Sequence, residues 1–246
     1  MPAPPPRPTP RVAPLDDEVA CDFARCIAGG GVALFPADTV YGLACDPANA
    51  DAVRRLYELK GRPPTRPAAV MFFALAAALA ALPELGPRTS AALRALLPGP
   101  LTLLLPNPRN RWPLACRPAV VLSRGGTLRP GSESGEAGAV GGAATGDSPA
   151  LGLRVPVLPP PLVALATVEL PVLQSSANIS GEGDARRLAD VDVVLRAGVD
   201  LALDGGELPG IASTVLDLRG YEQGGAWTVV RAGPVQDDQI ARALGA

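Results

Sequence analysis

The chain has 246 residues, a formal net charge of −2, 48% apolar but only 4% aromatic side chains, one lysine against 21 arginines, and no histidine. A chain of this length buries about 70–75% of the surface its unfolded form exposes, and the scarcity of rings predicts a core of Ala, Val and Leu. The missing histidine removes Ser-His-Asp and Cys-His catalysis and imidazole metal sites, the slight negative charge argues against a general nucleic-acid coat, and no apolar run reaches the roughly 18 residues of a membrane span.

The first 14 residues, MPAPPPRPTPRVAP, are proline-rich without the apolar stretch of a signal peptide and predict an extended, disordered tail. A single domain is expected over residues 15–246. It opens with a helix in DDEVACDFARCIAGGG, with Val19, Phe23, Cys26 and Ile27 on one face, which feeds a buried strand in GVALFPA, residues 31–37. NADAVRRLYELKGRP, residues 49–63, predicts a helix with Asp51 as its cap. Val53, Leu56, Tyr57 and Lys60 recur there at helical spacing before Gly61 and the prolines end it, so Lys60 falls on the last turn.

AAVMFFALAAALAAL, residues 68–82, reads as a strand running into an Ala-rich helix. Beyond it, LTLLLP, LGLRVPV, PVLQSSA, LALDGG, STVLDLR and WTVVRAG read as strands, and RTSAALRALL, PPLVALATVE and VQDDQIARALG as helices. Interleaving of this kind predicts an α/β or mixed α+β architecture. Residues 123–149 are rich in Gly, Ser and Ala and predict a flexible insertion, either without function or acting as a lid. Cys21, Cys26, Cys45 and Cys116 form no CxxC pair and no zinc spacing, so they read as small buried hydrophobes in a reducing cytoplasm.

Chemistry concentrates in two places. KGRPPTR sets Lys60, Arg62 and Arg66 at a helix end, which reads either as a cap complementing the helix dipole or as a polyphosphate clamp of arginine forks and one compact ammonium. LQSSANISGEG carries Ser176 and Asn178 at the carboxyl end of a strand, where open sheets bind ligands; the alternative is a turn closed by those side chains. Neither a P-loop nor a GxGxxG fingerprint is present.

Taken in order, FPADTVYGLACD, LYELKGRPPTRP, LLPGPLTLLL, LGLRVP, LQSSANISG, LALDGG, GIASTVLDL and VVRAGPV closely resemble the YrdC-like family of L-threonylcarbamoyladenylate synthases. The resemblance implies a twisted open sheet flanked by helices, with a concave basic cavity. It implies a nucleotidyltransferase that joins L-threonine, bicarbonate or CO2, and ATP with Mg2+ into threonylcarbamoyl-AMP and diphosphate. The product then feeds a tRNA threonylcarbamoyl-transferase system, and a weak contact with tRNA itself fits the same cavity.

Carried over by motif, Lys60 and Arg62 are the catalytic pair. Thr39, Arg154, Ser176 and Ser213 are threonine contacts, and Lys60, Arg62, Arg66, Ser176, Asn178 and Arg231 are ATP contacts. No side chain is assigned to a metal. The chain departs from the family pattern at Ala37, Arg66, Ala212 and Ala232. Two other readings stay open: a non-catalytic RNA- or nucleotide-binding protein of this fold, and a carbamoyltransferase relative forming carbamoyl-adenylate.

Overall fold

Strands of two to five residues join into one ten-stranded mixed sheet. The computed structural model describes residues 11–12, 17–116 and 150–245; the expected insertion at 123–149 lies outside them. In chain order the strands are β1 Arg11–Val12, β2 Ala33–Pro36, β3 Tyr41–Cys45, β4 Ala69–Met71, β5 Leu101–Leu105, β6 Leu151–Arg154, β7 Val172–Ser176, β8 Leu201–Asp204, β9 Thr214–Asp217 and β10 Thr228–Arg231. Their order across the sheet is β1-β8-β2-β3-β7-β4-β6-β5-β9-β10. The sheet is open, ending at β1 and β10. Four of its pairs are parallel, β1 with β8, β2 with β8, β4 with β6 and β5 with β9.

Alternation along each strand assigns the two faces. Leu101, Leu103 and Leu105 of β5, Leu151 and Leu153 of β6, Val70, Leu173 and Leu216 point into a large apolar core, which the helices Ala50–Leu59, Pro87–Leu96 and Asp237–Leu244 help to cover. On the opposite face a smaller core holds Phe35, Ala44, Met71, Val172 and Leu203 under the helix Asp17–Ala28. Val172 leads along the same face of β7 to Gln174 and Ser176. The small core therefore stops partway across the sheet.

Several expectations are corrected by the structure. Arg11–Val12, read as part of a disordered tail, pairs in parallel with Leu203–Asp204 as an edge strand. Asn49, not Asp51, caps the helix Ala50–Leu59, its side chain accepting from the amides of Asp51 and Ala52; Asp51 already lies inside the first turn, where its charge favours the helix dipole. PPLVALATVE forms a 3-10 helix, Pro160–Thr167, because consecutive prolines supply no amide hydrogens and the first available donor, Leu162, bonds back three residues to Pro159.

β3 and the helix Val193–Gly198, capped by Asp192, were not expected as elements. Cys45 and Cys116 are buried, whereas Cys21 is exposed and Cys26 half-buried, so only two of the four behave as core hydrophobes. The rings matter more than their number suggests. Phe23, Phe35 and Phe73 pack edge-to-face at centroid separations of 5.3, 5.5 and 6.1 Å. They fill the middle of the small core. Phe23→Ala should remove about 3–5 kcal/mol of stability, read as a lower denaturation midpoint in urea with an unchanged slope.

Candidate active site

Where the small core stops, a cavity of about 170 Å³ opens on the same side of the sheet. Six neighbouring strands each contribute to it: Gln174 and Ser176 from β7, Ala69 from β4, Arg154 from β6, Thr102 from β5, Val215 from β9 and Arg231 from β10. Loops close its sides with Thr39 and Val40, Arg62 and Pro67, Asp184, and Ala212 with Ser213. A floor spread over so many strands is rigid, since every element of it is held by ladder hydrogen bonds on both sides or by packing beneath.

Of the residues expected in the site, Thr39, Arg62, Arg154, Ser176, Ser213 and Arg231 line this cavity. Each is placed by local structure. Thr39 sits in the turn between β2 and β3, anchored by the buried Tyr41, whose hydroxyl lies 2.9 Å from both Asp204 Oδ1 and Gly206 O and accepts the Gly205 amide at 3.1 Å. Burial, with Asp204 beside it, raises the Tyr41 pKa, so the phenol stays a proton donor. The motifs DTVYG and LALDGG are thereby one structural unit.

Ser213 is fixed from three directions. Its hydroxyl meets Thr102 Oγ1 at 2.8 Å, and the Arg231 guanidinium donates to its carbonyl at 2.7 Å and its hydroxyl at 3.2 Å. The chain after Arg231 then presses onto it. A Cβ at Gly233 would lie 2.4 Å from the Thr214 amide and 2.6 Å from Ala212 O, so only glycine permits this approach.

Arg154 is buried and already neutralised. Its NH2 donates to Asp38 Oδ1 at 2.6 Å and its NH1 to Gln174 Oε1 at 3.0 Å, with Thr39 Oγ1 at 3.4 Å. Burial raises the Asp38 carboxyl and lowers the Arg154 guanidinium, and each charge opposes the shift of the other. The charge of Arg154, an expected threonine contact, thus has a built-in partner. Arg62 and Arg231 differ. Arg62 donates to Pro67 O at 2.6 Å and stacks 5.6 Å above the Tyr57 ring, Arg231 contacts only Ser213 among the hydrogen bonds described, and neither is ion-paired to a described residue.

Three expected site residues are not on the cavity wall. Arg66 is exposed and held through its backbone, its carbonyl accepting from Tyr57 Oη at 2.6 Å and its amide donating to Pro63 O at 3.0 Å. Asn178 lies behind Ser176, its Nδ2 donating to Glu182 O at 2.6 Å. Lys60 is 1% exposed. Its ammonium donates to Ser176 O, to Asn178 O at 2.7 Å and to Asn178 Oδ1 at 3.1 Å. In this arrangement all three of its protons have protein acceptors. Burial, with Arg62 adding repulsion, lowers its pKa to about 8, against the pull of Asp184.

The reading of motifs passed over Thr102, Gln174 and Asp184. Gln174 stands two residues before Ser176 on a strand, so period-two alternation alone places both on one face. Thr102 is the polar member of an otherwise apolar strand. Nothing local marks Asp184.

Comparison with known proteins places this geometry among relatives. The Sua5_yciO_yrdC family model, whose description reads Telomere recombination, matches residues 25–233. A protein of Xanthomonas campestris pv. campestris named threonylcarbamoyl-AMP synthase is 31% identical over 211 residues, covering 82% of this chain and 91% of that one. A variant of Pyrococcus abyssi Sua5 superposes with a TM-score of 0.68 at 26% identity, over 93% of this chain and 60% of its own. The same archaeal protein solved with L-threonine gives 0.68 at 24% identity, over 95% and 59%. The chain thus spans about three fifths of the archaeal protein and nearly all of the Xanthomonas one.

Asp38→Ala should cost about 3–5 kcal/mol of stability by stranding the Arg154 charge. Asp38→Leu combined with Arg154→Met, which removes both charges, should recover most of that loss in thermal unfolding.

Proposed function

The chain belongs to the Sua5/YciO/YrdC family, and on that premise we propose that its cavity is the active site of a threonylcarbamoyl-AMP synthase serving tRNA threonylcarbamoyladenosine modification. The reaction class we assign is nucleotidyl transfer, with ATP, L-threonine and bicarbonate or CO2 as substrates. The observation that supports the reading best is the convergence, on one cavity across six strands, of the hydroxyls of Thr39, Thr102, Ser176 and Ser213 with two guanidiniums, Arg62 and Arg231, that have no carboxylate partner among the described residues. Unpaired guanidiniums are forks for phosphate oxygens. Small hydroxyls beside a neutralised Arg154–Asp38 pair suit the polar groups of an amino acid.

Among the described residues no group of three or more His, Cys, Asp or Glu side chains could hold a metal ion. Magnesium fits this chain as part of the substrate, arriving on the phosphates of ATP, which with water supply most of its ligands. The protein's own part is to bind, align and exclude.

The chemistry needs no side-chain base with an imidazole pKa. The neutral threonine amine attacks CO2, forming an N–C bond and releasing a proton to solvent. The resulting carbamate is itself an anionic nucleophile. One of its oxygens attacks the α-phosphorus of ATP, an O–P bond forms, and the bond to the β-phosphate oxygen breaks to release diphosphate. Arg62 and Arg231 would hold the negative charge that shifts onto the leaving group, a preorganised electrostatic role. Thr39, Ser176 and Ser213 would align the amino acid, which converts an encounter of separate reactants into an in-line displacement.

Incubation with ATP, magnesium, bicarbonate and labelled L-threonine should give threonylcarbamoyl-AMP and diphosphate, each dependent on threonine. Arg62→Ala and Arg231→Ala should each lower kcat/KM about 10²–10³-fold, roughly 2.7–4 kcal/mol. Product formed from carbamoyl phosphate in place of threonine and bicarbonate, or RNA retention without turnover, would overturn the reading.

A further inference from the structure

Gln174 of β7 lines the cavity, is 4% exposed, and takes no part in the steps proposed for the reaction. Its amide has one orientation. A guanidinium only donates, so the atom that meets Arg154 at 3.0 Å is Oε1, and Nε2 is left for another partner. That nitrogen sits over Gly42 of β3, in the space a side chain would take: a Cβ on Gly42 would stand 2.6 Å from it.

Nε2 is buried and meets no acceptor among the described residues. Buried amide donors are nearly always paired, and one left without an acceptor carries the full cost of its lost hydration. Asp38 Oδ2 is unpartnered too, but Asp38 is held on Arg154 through Oδ1, and its second oxygen is out of hydrogen-bond reach of the amide. The protein therefore supplies no oxygen for this donor. A ligand can.

Charge separates the ligands that could do so. Arg62 and Arg231, without carboxylate partners among the described residues, suit phosphate oxygens. Around Gln174 the Arg154 charge is compensated by Asp38 at 2.6 Å, and the other polar groups include the hydroxyls of Thr39, Thr102, Ser176 and Ser213. A neutral donor in that setting suits the smaller substrates. We propose that Gln174 is a specificity-determining residue whose Nε2 donates to an oxygen of a non-nucleotide substrate, either L-threonine or the bicarbonate that supplies its carbamate carbon. Gly42 belongs to the same device, because a residue without Cβ leaves the amide its place over β3 while Oε1 stays on Arg154.

The inference rests on the proposed reaction for the identity of these substrates, and two substitutions separate donation from support. Gln174→Met removes both ends of the amide. Gln174→Glu keeps an acceptor for Arg154 and loses only the donor. In steady-state assays at pH 8, both variants should raise the KM for L-threonine or for bicarbonate about tenfold, with the KM for ATP within twofold of wild type. The substrate whose KM moves is the one that Nε2 contacts. Gly42→Ala should raise the same KM by displacing the amide, and should add little to Gln174→Glu because both act through one atom. A Gln174→Glu variant with wild-type KM values would overturn the proposal, since Gln174 would then only hold Arg154. A rise confined to the ATP KM would overturn it as well.

If wild type forms no threonylcarbamoyl-AMP, the reaction falls and binding still decides the inference. Calorimetric titration with L-threonine and, separately, with bicarbonate should show about tenfold weaker binding of one of them to Gln174→Glu. Equal affinities in the two proteins, or no binding of either compound by wild type, would overturn it.

Discussion

One buried ammonium joins the two segments that the sequence marks most strongly. Lys60 ends the helix Ala50–Leu59, and its three protons go to the turn that follows β7. Charged donors form hydrogen bonds worth about 1.5–3 kcal/mol each, and three of them converge where the sheet meets its cavity. Everything on that wall depends on this closure: the direction of the Ser176 hydroxyl, the orientation of the Asn178 amide and the path of the chain through Ser180. A site can be held to within fractions of an ångström only when the groups behind it are themselves locked.

The sheet explains why a cavity exists at all. One face is covered along β4 to β9 by a continuous apolar core, and the other carries the Phe23, Phe35 and Phe73 cluster over only part of its width. The alternation that buries Val172 under those rings carries Gln174 and Ser176 onward into open space. Charge is handled in two ways on the uncovered part. Arg154 is deep and is compensated by Asp38 at 2.6 Å, whereas Arg62 and Arg231 lie nearer the mouth with carbonyls, a hydroxyl and a ring as partners. A deep guanidinium without a carboxylate would be costly to bury. Those at the mouth keep their charge for a ligand.

Much of this was legible in the sequence. The apolar runs from Leu101, Leu151, Val172, Leu201 and Thr214 become strands, and the interleaving of helices and strands gives the layered α/β fold. Six of the nine expected site residues meet in one cavity. What the sequence concealed is tertiary in origin. β3 contains Gly42, which reads as a break, but a Cβ there would lie 2.6 Å from Gln174 Nε2. Asp38 looks like a turn residue until Arg154, 116 positions away, is seen beside it. Residue type said that Lys60 was cationic. It could not say whether the charge faces a ligand or the chain, because that depends on which carbonyls the turn after β7 brings within reach.

The most direct test is a crystal structure of the protein with L-threonine and a non-hydrolysable ATP analogue. The account predicts phosphate oxygens on Arg62 and Arg231 and the amino acid against Thr39, Ser176 and Ser213. Phosphates held away from both guanidiniums, or threonine bound outside this cavity, would contradict it.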